Sequence, residues 1–513
     1  MDHTDTTDLH STNESIATRH GAWRQTPRFF KAALIITALA TLSVSLRAEP
    51  LLLWYPFIED AYYAFSVSRN LADGNGLSVD GSTWTNGFQP LTTVLYSIPF
   101  VTGIPDVGAL RVILALQWLT LMCTGTLVGL ITRTYLLGNS LQRYAFPLGF
   151  LGLVGSFYAI NTSLNGLETG ALLLGYAGLW HFFQVRRLDQ MRYAVSFGLL
   201  GGVVALIRID SLLVIAVLLV GVLAVYGIRV AITAGFVTLL VVLPWLLYGL
   251  ILTGSPIPSS GRAQTLVELS SFRLDRILEA LSAVGFPWLP ISSLVPSFST
   301  LIRFIFIGLL ISIFFALRRR LPRQAIRKRS EIFALSLLVG VFLLAGYYGL
   351  TSFAFWFYGR YLSPLLLVAA FILSVSLVLM GSVASRVAAG LLTLVTIVAS
   401  AFHWVPGTYQ ENTMLTEQVA LVHDTVPPTD AVAASQTGTL AFFRQNTVNL
   451  DGKVNTEILD YQGSINAYLD ELSVVWICDW PRQIDALVDL EADGWEIYSQ
   501  RGEYVCVTRV SER

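Results

Sequence analysis

The chain has 513 residues, of which 54% are hydrophobic and only 13% charged, where a soluble domain carries about 25% charged residues; with a mean hydropathy of +0.62 this excludes a soluble globule. A formal net charge of −1 offers no concentrated basic face for nucleic acid. The three cysteines, Cys123 in an apolar run and Cys478 and Cys506 in a polar C-terminal part, show no CxxC or HExxH spacing for zinc or redox chemistry.

In chain order, residues 1–28 are polar and rich in Thr, Ser and His, a composition that cannot bury a core and predicts a disordered tail. The apolar stretch from Phe29 to Leu46 lacks the small-residue cleavage site of a signal peptide and reads as a retained first span. Crossing about 30 Å of hydrocarbon takes roughly 20 apolar residues, which predicts about eleven transmembrane helices. They fall near 29–46, 107–131, 144–160, 169–185, 193–207, 211–227, 230–252, 300–317, 331–351, 362–380 and 387–404. Lys and Arg near span ends stay in the cytoplasm. The run Arg318, Arg319, Arg320, Arg323, Arg327, Lys328 and Arg329 therefore sets the orientation, and Arg186, Arg187, Arg192, Arg229 and Arg386 agree with it. Counting outward puts the N-terminal tail inside and the segments 47–106, 253–299, 352–361 and 405–513 outside. Leu91–Ile104 is expected to be an interfacial or re-entrant helix, since a further crossing there would export Arg133 and Arg143. Beyond Val405 short apolar runs, Ala431–Ala434, Val474–Cys478 and Tyr504–Val507, alternate with polar helical stretches and predict a small extracytoplasmic α/β domain over 405–513. No catalytic constellation is legible in it; Cys478 and Cys506 both sit in strand-like runs in an oxidising compartment, and whether they are bonded is left open by the sequence.

The first outer segment carries Glu59-Asp60 at the head of an aromatic-rich helix with Tyr62 and Tyr63, then Arg69-Asn70-Leu71-Ala72, a Gly74-Asn75-Gly76 turn and Thr85-Asn86-Gly87-Phe88-Gln89-Pro90-Leu91. This pattern resembles the first outer loop of GT-C glycosyltransferases, which include protein O-mannosyltransferases, lipid A aminoarabinose transferases and cell-wall arabinofuranosyltransferases. Asn165-Gly166-Leu167-Glu168-Thr169, Arg208-Ile209-Asp210, Gly254-Ser255-Pro256-Ile257-Pro258 and Gly359-Arg360-Tyr361-Leu362-Ser363-Pro364 are similar to later segments of the arabinofuranosyltransferase-like branch, with Ile209 where that branch has proline. The Trp-Trp-Asp signature of oligosaccharyltransferases is absent.

The resemblance implies a multi-pass enzyme of the plasma (inner) membrane. It would move a sugar from a polyprenyl-phosphate donor to a glycan, glycolipid or protein acceptor, with no cofactor and with a divalent metal left open. Asp60 matches the family's acidic catalytic position, a general base, with Glu59 beside it; an acidic pair at a helix start also complements the macrodipole. Arg208 and Arg360 are the candidate clamps for the donor phosphate. Alternatively, Arg208 pairs with Asp210 to close a turn and Arg360 anchors the interface. Tyr62, Tyr63, Arg69, Glu168 and Asp210 complete the candidate substrate-binding set. The aromatics can equally form an interfacial belt, Arg69 brace the loop and Glu168 cap a helix. His181 and His403 sit at span ends with no partner in view. A transporter or flippase of lipid-linked sugars is the competing reading, and the internal repeats common in transporters are absent.

Overall fold

The computed structural model describes residues 21–265, 273–289, 296–352, 358–405 and 412–509. The first 20 residues of the expected tail lie outside these, as do parts of the outer segments 253–299, 352–361 and 405–513. Residues 21–25, expected in the tail, are instead helical, because Gln25 accepts a 3.0 Å hydrogen bond from Arg133 that ties this turn to the bundle.

The protein is a helical membrane protein with a small C-terminal sheet. Its helices include α1 (Arg28–Ser43), α2 (Glu59–Ala72), α3 (Pro90–Val101), α4 (Asp106–Tyr135), α5 (Ala145–Val154), α6 (Phe157–Ser163), α7 (Thr169–Val185) and α8 (Met191–Ile207). There follow α9 (Ser211–Tyr226), α10 (Ile228–Thr253), α11 (Ser299–Arg318), α12 (Ala325–Thr351), α13 (Leu365–Leu379), α14 (Ser382–Phe402) and the short α15 (Gly438–Phe443). Among the described residues six helices are long and apolar enough to cross a membrane, or seven if the α5–α6 pair is one bent span. The expected eleven includes shorter apolar helices that this length criterion leaves out. Helices α7, α8, α9 and α13 hold 15 to 17 residues, which at 1.5 Å per residue reach only about 23 to 26 Å.

The segment 144–160, expected to be one span, is broken and bent by 62°. The hydroxyl of Ser156 accepts from the Ala159 amide at 3.0 Å to start α6 and donates to the Pro287 carbonyl at 3.2 Å. Such a break is invisible to hydropathy, which registers composition alone. Helix α3 has 12 residues, about 18 Å of rise, too short to cross the roughly 30 Å of hydrocarbon. The short connection Arg208-Ile209-Asp210 joins α8 to α9.

The sheet has strands β1 (Val432–Ala434), β2 (Thr447–Asn449), β3 (Trp476–Asp479), β4 (Trp495–Arg501) and β5 (Tyr504–Arg509) in the order β2-β1-β3-β5-β4. Its pairings are parallel on either side of β1 and antiparallel through β5. Cys478 and Cys506 face each other across β3 and β5 and form a disulfide.

The sheet region docks on the first outer segment through α15. Phe442 packs among Tyr62, Phe65 and Phe100 with ring centroids 5.6 to 6.4 Å apart. Arg69 stacks over the same ring at 4.7 Å and donates to the Phe442 carbonyl at 2.8 Å and to Asp106 at 2.9 Å. Burying an aromatic side chain of this size stabilises by about 1.5 to 3 kcal/mol.

Candidate active site

Between α2, the connections after α6 and α8, the segment leading into α13 and the sheet region lies a cleft lined by charged side chains. Asp60 stands in its wall because α2 begins there. Ile58 is extended and Glu59 and Asp60 occupy the first helical turn, where acidic side chains face the positive end of the helix.

The start of α2 is seated on the turn 165–168. Gly166 has φ +88°, and a Cβ there would come within 2.5 Å of the Ala61 Cβ, so glycine permits both the left-handed backbone and the close approach. Gln117, buried in α4, holds the same turn by donating to the Leu167 carbonyl at 2.7 Å and accepting from the Gly166 amide at 3.1 Å. That fixes Glu168 in the cleft wall.

Asp60 Oδ2 accepts from Arg360 at 3.0 Å, and its Oδ1 lies 4.0 Å from the Lys453 ammonium. Burial alone would raise this carboxyl, but Lys453 and Arg360 outweigh it and hold Asp60 below its ordinary range. Lys453, 3.2 Å from Asp451, is held above its ordinary range in the same way, burial being overcome by Asp451 and Asp60. Asp60 is thus ionised at neutral pH.

Its neighbour behaves oppositely. Glu59 points away from the cleft and accepts from the Thr439 amide at 3.0 and 3.1 Å and from the Thr439 hydroxyl. Burial drives it up to about 7, the Thr439 hydrogen bonds and Lys453 only partly countering, with the Asp60 charge adding to the rise. Neutral donors stabilise a carboxylate less than cations do.

Arg208 reaches the cleft from the α8–α9 connection. Its Nη1 donates to Glu168 at 3.0 Å and its Nε to Asp210 at 2.9 Å. Its Nη2 is uncommitted among the described residues. The guanidinium lies 4.4 Å from the Tyr361 ring centre, with Tyr348 stacked on the other side of that contact at 4.0 Å and donating to Asp210. Arg360 also stands over Tyr361, at 5.2 Å.

Of the expected site residues, Asp60, Tyr63, Glu168, Arg208 and Arg360 line one cleft. Glu59, Tyr62, Arg69 and Asp210 do not. Tyr62 is fully buried and donates to the Leu53 carbonyl at 3.0 Å, so it packs the core instead of facing a sugar. Successive helical residues diverge by about 100°, which is why Tyr63 alone reaches the cleft. Arg69 braces the loop against α15, and Asp210 holds Arg208. His403, expected to be isolated, has Asn161 Oδ1 3.2 Å from its Nε2. Lys453 was missed: nothing local marks the sheet region as contributing to a site. Among the described residues no group of three or more His, Cys, Asp or Glu is gathered for a metal ion.

No protein-family model matches the sequence, and neither does any curated protein. Solved structures do. ArnT from Cupriavidus metallidurans bound to undecaprenyl phosphate aligns over 94% of this chain and 98% of its own with a TM-score of 0.58 at 12% identity. Its apo state aligns over 93% and 97% with the same score at 11% identity. The archaeal oligosaccharyltransferase AglB from Archaeoglobus fulgidus, in complex with an inhibitory peptide and a dolichol-phosphate, aligns over 93% and 74% with a TM-score of 0.52 at 13% identity. The chain has the GT-C fold. Within this GT-C fold the cleft is framed jointly by the membrane helices and the sheet region, and its charged wall lies at the end of α12 that carries Tyr348.

Proposed function

We propose that the protein is a GT-C glycosyltransferase. It transfers a sugar from a polyprenyl-phosphate donor to a hydroxyl of a cell-envelope glycan, glycolipid or protein at the non-cytoplasmic face of the plasma (inner) membrane. The observation that carries this reading is an ionised carboxylate, Asp60, flanked by Arg360 and Lys453 in one cleft. The ArnT and AglB structures of the same fold hold undecaprenyl phosphate and dolichol-phosphate.

In this mechanism the acceptor oxygen attacks the anomeric carbon while its proton passes to Asp60. The bond from the anomeric carbon to the phosphate oxygen breaks, and its electron pair leaves with the polyprenyl phosphate. Charge therefore grows on phosphate oxygens, where Arg360 and Lys453 supply donors in the cleft. A positioned base contributes about 10² to 10⁴ in rate. Tyr63 and Glu168 face the sugar and acceptor side of the cleft.

The test incubates purified protein in nanodiscs with pentose- and hexose-carrying polyprenyl phosphates and a membrane glycolipid extract. Mass spectrometry follows free polyprenyl phosphate and the new glycan. The reading fails if no donor is consumed across that panel while surface glycans of cells with and without the protein are also identical. A reporter fused after Arg513 is expected to report from the non-cytoplasmic side.

A further inference from the structure

At the other end of α12 lies a second cavity, open to one side and formed by the end of α11, the connection 319–324 and the start of α12. Tyr348 lines the first cleft and Glu331 the second, and the stretch of α12 between them separates the two by roughly 25 Å at 1.5 Å per residue. The second cavity belongs to no step of the transfer reaction.

Its wall carries five cations, Arg318, Arg319, Arg323, Arg327 and Lys328, against one carboxylate, Glu331. That carboxylate is already matched: Arg318 Nε donates to it at 2.7 Å and the Tyr135 hydroxyl at 2.7 Å. Arg327 is buried and structural, donating to the carbonyls of Tyr135, Leu137 and Pro322 where α4 ends. Arg319, Arg323 and Lys328 are exposed and meet no carboxylate among the described residues. Four positive charges in the wall are therefore unmatched.

Retention of a loop in the cytoplasm needs only charge near span ends; it does not need the charge arranged around a concavity. The same two helices expose an apolar flank directly beside it, Ile311 and Phe315 on α11 and Leu335 and Val339 on α12. A phosphate ester with acyl chains matches both parts, the headgroup meeting the cations and the chains lying along the flank. We propose that this cavity binds the phosphate headgroup of an anionic membrane lipid.

The experiment places the purified full chain in nanodiscs of phosphatidylcholine containing phosphatidylglycerol and counts retained lipids by native mass spectrometry. Each cation near an anionic lipid adds roughly fivefold in affinity. The parent should retain phosphatidylglycerol over phosphatidylcholine, and the R319Q/R323Q/K328Q variant should lose at least about tenfold of that preference while melting like the parent in neutral detergent. Equal retention of the two lipids by the parent, or an unchanged preference in the folded variant, overturns the proposal. A parallel arm adds inorganic phosphate to protein in neutral detergent. Stabilisation there equal to that given by phosphatidylglycerol would assign a soluble phosphate and overturn the lipid. Should the triple variant fail to insert, Lys328→Gln alone and a salt titration of the parent serve instead, with the preference expected to fall as salt rises; a preference indifferent to both sinks the idea.

Discussion

The membrane-helix wall of the cleft and the wall supplied by the sheet region both hold charge away from water, but they do so differently. On the helix side Arg208 is pinned between Glu168 and Asp210, each contact near 3 Å and the arginine and Glu168 almost wholly buried. On the sheet side Lys453 lies 3.2 Å from Asp451 and reaches Asp60 at 4.0 Å from a loop, and Glu59 is met there by the neutral donors of Thr439. Charge locked by two carboxylates near 3 Å is framework; Lys453, anchored by Asp451 at 3.2 Å, keeps only a loose 4.0 Å contact to Asp60 and can turn to a ligand. The contrast separates residues that keep the cleft standing from residues that work in it.

The largest effect should come from Asp60→Asn, which keeps the shape of the side chain and removes its basicity. Transfer should fall by at least about 10²-fold in kcat with insertion intact. Donor KM should be unchanged or lower, since Arg360 and Lys453 are freed to meet phosphate. Full turnover in this variant would reduce the acidic pair to a helix start.

Arg208→Ala should register mainly as instability. Removing one partner of a buried ion pair costs about 3 to 5 kcal/mol, and here two carboxylates are orphaned at once. A variant that melts normally yet binds donor poorly would move Arg208 from framework to clamp and erase the contrast.

Glu59 gives a pH signature. Its folded state holds the proton more tightly than an exposed carboxyl does, so its contribution is complete below about pH 4.5 and disappears as pH rises through about 7. Between pH 5 and 7.5 the parent should lose up to roughly 3 kcal/mol of stability, read as a falling Tm, and Glu59→Gln should flatten that slope. Asp60 shifts the other way, its contribution being lost only as pH falls below the ordinary carboxylate range, so it does not overlap this window. A slope unchanged in Glu59→Gln would show that another group sets it.

The smallest effect is expected from Lys453→Met, where one charge-assisted contact of about 1.5 to 3 kcal/mol is lost, or about 10- to 100-fold in donor affinity. Stability should fall less than in Arg208→Ala, since the ion pairs lost are longer and less buried. A melting loss as large as that of Arg208→Ala would place both walls in one class.

These differences explain what the sequence could disclose. Asp60 was legible because its setting is local: an acidic pair, a helix start and a turn follow one another in the chain. Glu168, Arg208 and Arg360 were legible for a related reason, since a charge between apolar runs is conspicuous. Lys453 has neither property. It sits in a polar stretch where lysine is unremarked, and only the docking of α15 on α2 brings it to Asp60. The separation of Tyr62 from Tyr63 needed the exact phase of α2, and the break at Ser156 needed a hydrogen bond from its hydroxyl to the Pro287 carbonyl, residues apart in the chain that composition cannot connect.

Gly87 marks where the two walls meet. A Cβ there would lie 1.8 Å from the Lys453 carbonyl oxygen and 2.6 Å from the Ser259 hydroxyl, which itself donates to that carbonyl at 2.7 Å. At this point of the seam main chain meets main chain, with the Ser259 hydroxyl bridging to the Lys453 carbonyl. A single methyl group at this position acts as a wedge under the loop that carries the ammonium. Gly87→Ala is therefore a means of prising one wall from the other while leaving every charged group of the cleft in the protein.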